Sequence, residues 1–182
     1  MEVNFKANFI NKTYVQKFNP VTSQFCSQEV SFVEINPRLK DDIKALKKLV
    51  NNWGARSLFI DLIYKIAKSD PRRKTYFLTE QSSDFEKIDF TKILGISQLS
   101  KEDVNQYCIE YLETRPDIQK SNKARNCLGV GTELLESLKK LFFDKRLRVN
   151  YIFEELDFYL KNGFDFENEP FGDLVWKAQN RK

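Results

Sequence analysis

The sequence predicts an α+β fold, in which a mixed and mostly antiparallel central sheet is flanked by helices. Three observations predict it. Short runs rich in aromatic and β-branched residues, typical of strands, recur along the chain. Runs with apolar residues at helical spacing lie between them, without the strict alternation that a parallel sheet requires. The 182 residues suffice for one domain with a sizeable core.

The N-terminal part of the chain predicts a β-hairpin followed by a strand. Residues 3–18 are rich in aromatic and β-branched side chains, and we place the turn between two short strands at Asn11-Lys12. Residues 31–37 predict a further strand that ends at Pro37, because the proline ring disfavours helix in the residue before it. We therefore expect a β extension over residues 1–30, packed on a domain of residues 31–182.

Two amphipathic helices are predicted next. In residues 41–54 apolar side chains recur at helical spacing, acids occupy the first turn, and Gly54 provides a stop. Residues 57–70 repeat the pattern, with Ser57 as the N-cap. Each helix should bury one face against the sheet.

The rest of the chain predicts strands around two more helices. Residues 74–80, 92–99 and 103–116 have strand composition, and Pro116 should mark the end of the third strand because proline cannot donate to a ladder. A strong apolar stripe predicts a helix after Gly131. The predicted elements that follow are a strand at 147–153, a short helix at 154–163, and closing strands at 164–166 and 173–179.

Composition narrows the function classes. The net charge of +4 is too small for a typical nucleic-acid-binding face, so nucleic acid is disfavoured as a partner. There is no histidine, and the three cysteines lack CxxC spacing, so neither a metal site nor a disulfide scaffold is expected. Because we find no secretory signal and no membrane-spanning apolar run, we expect a cytoplasmic protein. A homodimer is compatible with the sequence.

Two glycines, Gly129 and Gly131, stand at the start of the strongest predicted helix. The first-turn amides of a helix have no intrahelical partner and attract anions, and glycine lets a phosphate approach the backbone. The preceding loop, residues 115–125, is rich in lysine and arginine. An ordinary loop-to-helix turn gives the same local pattern. Neither a Walker loop nor a GxGxxG fingerprint is present.

In three segments the chain resembles the GNAT-type N-acetyltransferase superfamily. The segment Leu-Glu-Thr-Arg-Pro at 112–116 is similar to the end of that family's central strand, and residues 126–131 are similar to its pyrophosphate loop, Gln/Arg-x-x-Gly-x-Gly/Ala. Residues 157–164 are similar to its Phe-Tyr-x-x-x-Gly-Phe helix. Asn126 departs from the pattern where the family has Gln or Arg, and Ile152 and Glu155 stand where members often carry Asn and Ala.

The resemblance implies a transfer of an acetyl group from acetyl-CoA to a primary amine by direct attack in a ternary complex. Tyr159 would be the general acid that protonates the departing thiolate, and Glu110 the weaker candidate for the base. No metal is implied. The residues implied in cofactor binding are Leu112, Glu113, Thr114, Lys123, Arg125, Asn126, Leu128, Gly129, Val130, Gly131 and Thr132.

Three other interpretations stay open at this stage. Glu110 and Glu113 differ by three residues, so their side chains should point to opposite faces of the sheet unless a bulge intervenes. Cys127 would suit a thiol mechanism, but a lone cysteine without an activating base is usually inert. The altered Asn126 would also suit a catalytically weak module that binds acyl-CoA or a protein partner. The amine acceptor is not identified, although the acids in residues 154–157 and 165–169 favour a cationic one.

Overall fold

The structure of the protein is a computed structural model. It describes residues 7–54, 57, 59–70, 72–85, 87–119, 125–149, 153–167 and 173–178. No helix in these ranges is long and apolar enough to cross a bilayer.

The described residues form nine strands and four α-helices. The strands are β1 Asn8–Asn19, β2 Gln24–Ile35, β3 Lys74–Thr79, β4 Ile93–Lys101, β5 Gln106–Thr114, β6 Cys127–Leu128, β7 Arg146–Val149, β8 Asp165–Phe166 and β9 Leu174–Trp176. The helices are α1 Lys40–Trp53, α2 Ile60–Ser69, α3 Val130–Leu141 and α4 Leu156–Lys161. A turn of 3₁₀ helix at Phe153–Glu155 leads into α4.

All nine strands form one sheet, in the order β6-β1-β2-β3-β4-β5-β7-β9-β8. Every neighbouring pair is antiparallel except β5 and β7, which are parallel and are connected through α3. The prediction of a mixed, mostly antiparallel sheet is therefore confirmed.

The helices cover both faces of the sheet and give the molecule three layers. One core lies against α3 and α4, where Leu134, Leu138 and Tyr159 pack on sheet residues that include Phe32. The other core lies against α1 and α2 and includes Leu49 of α1. Because β3 and β4 lie between the two layers of helices, both of their faces are covered and most of their residues are buried.

The N-terminal hairpin is present, but its turn was predicted in the wrong place. β1 runs without a turn through Asn11 and Lys12, and the chain reverses after Asn19. The register shift between Phe9 and Asn11 is a bulge, which interrupts the pairing without reversing the chain. β2 then continues through the strand predicted at 31–37, so that strand is the second half of a longer one.

The other predicted elements are confirmed, with two shifts at helix starts. α2 begins at Ile60 with Phe59 as its N-cap residue, so Ser57 is not the N-cap, although its Oγ accepts the Ile60 N–H at 3.1 Å. α3 begins one residue before Gly131. Of the strand predicted at 147–153, residues 147–149 belong to β7 and residues 150–152 lie outside the described residues, while Phe153 is wrong as a strand residue because it begins a 3₁₀ turn.

Candidate functional site

The central feature of the candidate site is a gap beside the end of β5. Among the residues that the structure describes, β5 pairs with its parallel neighbour β7 over Gln106–Ile109 and Arg146–Val149, while β5 continues beside β4 as far as Thr114. The register between β4 and β5 skips Glu110, which is therefore a bulged residue. A bulge bends and twists its strand locally, and this one directly follows Ile109, the last residue of β5 with a described partner in β7.

Two backbone amides of β5 point into this gap. Successive N–H groups of a strand point to alternate edges, and that of Arg115 donates to Leu94 O of β4 at 2.8 Å. The N–H groups of Leu112 and Thr114 therefore point to the β7 side. The Thr114 carbonyl accepts from Gln119 Nε2 at 3.2 Å.

The N-terminus of α3 forms one wall beside the gap. Gly129 is its N-cap residue and has φ +83°, a left-handed conformation that side chains rarely adopt. The first hydrogen bond of the helix runs from Glu133 N to Gly129 O at 2.9 Å, so the N–H groups of Val130, Gly131 and Thr132 lack intrahelical acceptors. These three amides, with the helix dipole, form a local environment suited to an anion.

The loop before α3 is anchored by the N-terminal hairpin. β6 pairs with β1, placing Cys127 opposite Lys17 and Leu128 opposite Gln16. In addition, Phe18 N donates to Asn126 O at 2.8 Å. The hairpin therefore fixes the backbone that immediately precedes Gly129.

Two further glycines of the chain allow α3 to lie close to its neighbours. A Cβ at Gly95 of β4 would meet side-chain atoms of Val130 and Leu134 at 2.8 Å, so α3 packs directly over this position. A Cβ at Gly131 would meet the Phe158 ring at 3.2 Å. Gly131 thus serves the contact between α3 and α4, in addition to having an amide in the first turn.

Tyr159 on α4 lies on the opposite wall. It is 2% exposed and packs between Phe158 and Phe164, with ring centroids 5.1 and 5.6 Å away. Burial, reinforced by the nearby Glu155 carboxylate, raises the pKa of the Tyr159 phenol well above its ordinary value. The phenol is therefore protonated at neutral pH.

One cavity of about 820 Å³ joins these features. Of the residues predicted for the site, those that line it are Leu112, Glu113, Thr114, Arg125, Leu128, Gly129, Val130, Gly131, Thr132 and Tyr159. Its other lining residues include Phe59, Phe158 and Gln119, together with the acids Glu154, Glu155 and Asp157. The structure therefore brings most of the predicted residues together around one space.

Two predicted residues that the structure describes, Asn126 and Glu110, do not line the cavity. Asn126 contributes its carbonyl to the hairpin contact, and its side chain is exposed. Lys123 lies outside the described residues. Glu110 instead accepts from Arg73 Nη1 at 2.8 Å and from Ser100 Oγ at 2.5 Å.

The side chain of Glu113 has a different environment from that of Glu110. It is 8% exposed, and its two oxygens accept hydrogen bonds from Ser57 Oγ and from Phe59 N, the latter at 3.2 Å. Glu113 thereby connects β5 to the residues that precede α2. Arg73 follows α2, so the carboxylates of Glu110 and Glu113 contact the two segments that flank this helix. The expectation that they point to opposite faces of the sheet is therefore wrong, because the bulge at Glu110 shifts the alternation of side chains.

Sequence reasoning missed the contributions of Phe59, Gly95 and the β6 pairing. Phe59 comes from a distant segment that only the folded sheet brings to the cavity. The sequence did contain a signal for Gly95, because an isolated glycine in a strand often marks a close backbone approach. The two-residue β6 is too short to leave a periodic signal.

Comparison with known proteins connects this geometry to a fold. No protein-family model matches the chain, and no curated protein matches it by sequence. Solved structures do match. GCN5 from Tetrahymena aligns with a TM-score of 0.53 and 13% identity, over 80% of this chain and 93% of that one. A GNAT-family acetyltransferase from Streptococcus pneumoniae gives 0.50 and 13%, over 84% and 99%.

The chain has the GNAT acetyltransferase fold. Ard1 from Thermoplasma volcanium, with a TM-score of 0.51 and 13% identity over 83% of this chain and 99% of that one, is similar over the same extent. The fold that the sequence motifs implied is thus confirmed. At 13% identity the likeness establishes the GNAT fold and leaves the activity to the residues of the site.

Proposed function

We propose that the protein is an acyl-CoA-dependent N-acyltransferase that moves an acetyl group from acetyl-CoA to a primary amine. One observation carries the proposal: the α3 N-terminus, the end of β5 and the buried Tyr159 share one cavity. An anion site, amide donors and a protonated phenol are the groups that binding and aminolysis of a CoA thioester need.

The cofactor would be held mainly by backbone. The amides of Val130, Gly131 and Thr132 face the position proposed for the pyrophosphate, and Arg125 adds a cation to the same cavity. We also assign Leu128 and Gly129 to this cradle. Asn126 would act indirectly, by fixing the loop before Gly129 through the bond that its carbonyl accepts from Phe18 N.

The amides that point into the gap would act on the thioester. The N–H groups of Leu112 and Thr114 are placed to donate to the carbonyl oxygen, whose negative charge grows as the amine attacks. Glu113 lies between them and contributes the backbone that spaces the two donors. Attack forms the C–N bond, and collapse of the tetrahedral intermediate breaks the C–S bond.

Proton transfers complete the reaction. Tyr159, protonated at neutral pH, would donate its phenolic proton to the departing thiolate, and the proton that the acceptor nitrogen loses on becoming an amide would restore the phenol. Glu110 stays the proposed base for the incoming ammonium. Its carboxylate does not line the cavity, so it would accept that proton through water. The carboxylates of residues 154–157 suit an acceptor that carries positive charge.

Calorimetry with acetyl-CoA, followed by turnover assays over a panel of amines, tests the proposal. We expect saturable binding and release of free thiol with at least one amine. The absence of binding at millimolar acetyl-CoA would exclude the transferase. Binding without turnover across the panel would instead favour an acyl-CoA-binding module, the alternative that fits Glu110 lying away from the cavity. The cytoplasmic location stays a prediction.

A further inference from the structure

The N-terminal hairpin presents a strand edge that the described sheet leaves unpaired. β1 pairs with β2 along its length, from Gln24 to Glu34. On its other edge β2 pairs with β3 only over Ser31–Ile35. Residues 24–30 therefore have a sheet partner on one side only among the residues that the structure describes. At about 3.4 Å per residue this edge is roughly 20 Å long.

This edge lacks the features that usually protect an exposed strand. Natural edge strands are commonly blocked by charged side chains, proline or a bulge. Residues 24–28 are Gln, Phe, Cys, Ser and Gln, with no charge and no proline, and the pairing of β1 with β2 is regular there. The first charged residue is Glu29, which accepts from Lys12 at 2.6 Å. An edge of this kind is a template for a further strand.

Exposed aromatic side chains lie on the same ribbon. Tyr14 is 57% exposed and Phe25 is 42% exposed. Phe18 is paired with Phe25 across the strands, with ring centroids 5.4 Å apart. Since Tyr14 and Phe18 are four residues apart on β1, all three rings share one face. The opposite face carries Val15, which is buried against α3.

We propose that the edge formed by residues 24–30 pairs with the same edge of a second copy of this chain. Two copies of one strand can pair antiparallel about a two-fold axis, which satisfies the backbone groups of both at once. The axis passes through Ser27, the centre of residues 24–30, and places Phe25 of one copy opposite Glu29 of the partner subunit. Residues 24–28 are neutral, so no like charges meet near the axis. This neutral centre is its own complement and favours a second copy as the occupant.

The ribbon also connects this interface to the cavity. Gln16 and Lys17, which pair with β6 on one side, pair with Ser27 and Cys26 on the other. The paired copy would therefore lie two strands away from Leu128 and the cradle. The interface depends only on the hairpin, so it does not rest on the proposed transferase activity.

Light scattering after size exclusion tests the inference on the full chain. Over a dilution series we expect a mass of twice the 21.5 kDa chain at high concentration. Ser27→Lys should raise the dissociation constant at least about tenfold, because Ser27 is exposed at the centre of residues 24–30 and the two lysines would meet at the axis. Val104→Lys is the control for an added surface lysine: Val104 is 73% exposed, and it lies in the turn between β4 and β5.

A mixing experiment separates a lost interface from a damaged fold. Ser27→Lys and Ser27→Glu should each be weakened alone, and an equimolar mixture should recover the dimer because opposite charges then meet at the axis. Recovery supports the pairing, since misfolded chains would not regain it. A monomer at every concentration of the unaltered protein would overturn the inference. So would a dimer that both Ser27 variants leave intact, because that dimer would use another surface.

Discussion

The two walls of the cavity are built on different principles. The α3 wall presents backbone amides. Their positions depend on the left-handed conformation of Gly129, which has φ +83°. The α4 wall presents the Tyr159 side chain, held between two aromatic rings. The α3 wall should therefore be sensitive to backbone strain, and the α4 wall to loss of a single functional group.

The largest expected effect is on the α4 wall. Tyr159→Phe removes only the hydroxyl, so the ring packing stays and the proton donor is lost. We expect kcat to fall by about 100-fold or more, while the Kd of acetyl-CoA changes by less than about twofold. Steady-state kinetics and calorimetry measure the two quantities.

The matched control for this prediction is Tyr107→Phe. The Tyr107 ring also packs on an aromatic, with its centroid 4.4 Å from that of Phe142, but it does not line the cavity. Its kcat should stay near that of the unaltered protein. Equal losses of kcat and of acetyl-CoA affinity in Tyr159→Phe would contradict the role of proton donor.

The second effect is on the α3 wall. Gly129→Ala forces a side chain into the left-handed region, which costs roughly 1–2 kcal/mol. If the loop relaxes to relieve this strain, the amides of the first turn move. We therefore expect the Kd of acetyl-CoA to rise about tenfold, which corresponds to about 1.4 kcal/mol, with kcat at saturation much less affected.

Gly54→Ala is the control for strain alone. Gly54 also has a positive φ, +54°, and a Cβ at either glycine would meet nothing within 4 Å. It ends α1 and does not line the cavity. Gly54→Ala should lose at least as much free energy of unfolding as Gly129→Ala, because ψ −142° places Gly54 in a region that side chains occupy even less readily. Only Gly129→Ala should bind acetyl-CoA more weakly. Unchanged binding by both would contradict the cradle.

A third prediction concerns the connection between the walls. Lys139 of α3 is 8% exposed, and its Nζ donates to Asn162 O at the end of α4 and to Glu136 Oε1, the latter at 2.7 Å. It also lies 5.7 Å from the Phe164 ring centroid. Lys139→Met keeps the length of the side chain but removes these bonds, so α4 and Tyr159 lose an anchor.

We expect Lys139→Met to lower kcat about fivefold and the free energy of unfolding by about 1–3 kcal/mol. Lys139→Arg keeps the charge and a donor, and it should restore part of both. Denaturant titration and steady-state kinetics provide the readouts. A variant that loses stability with unchanged kcat would show that the lysine supports the fold without positioning Tyr159.

The contrast between backbone and side-chain contributions also explains what could be predicted from the sequence. The core helices and strands were predictable because their apolar residues repeat with a clear period, as in α3. The cradle was predictable because its glycines stand in a short contiguous motif. The hairpin turn was misplaced because Asn11-Lys12 has turn composition, while tertiary pairing extends β1 past it to Asn19.

The environment of side chains within the site was less predictable. Spacing alone placed Glu110 and Glu113 on opposite faces, and the bulge at Glu110 changed that relation. A bulge is set by how β4 and β5 align, which leaves no mark on either sequence segment. The same holds for Phe59, whose position depends on the hydrogen bond from its amide to Glu113.

The smallest expected effect comes from this last contact. Glu113→Leu removes both carboxylate oxygens, which accept from Ser57 Oγ and Phe59 N, and keeps a side chain of similar size. Phe59 then loses its anchor at the cavity wall, so we expect the KM of the amine acceptor to rise about threefold, while the Kd of acetyl-CoA stays the same.

Glu110→Leu, on the same strand but away from the cavity, is the matched comparison. If Glu110 is the base, its variant should lose kcat and shift the pH profile, with acceptor KM nearly unchanged. The opposite assignment, a shifted pH profile in Glu113→Leu and none in Glu110→Leu, would transfer the role of base to Glu113.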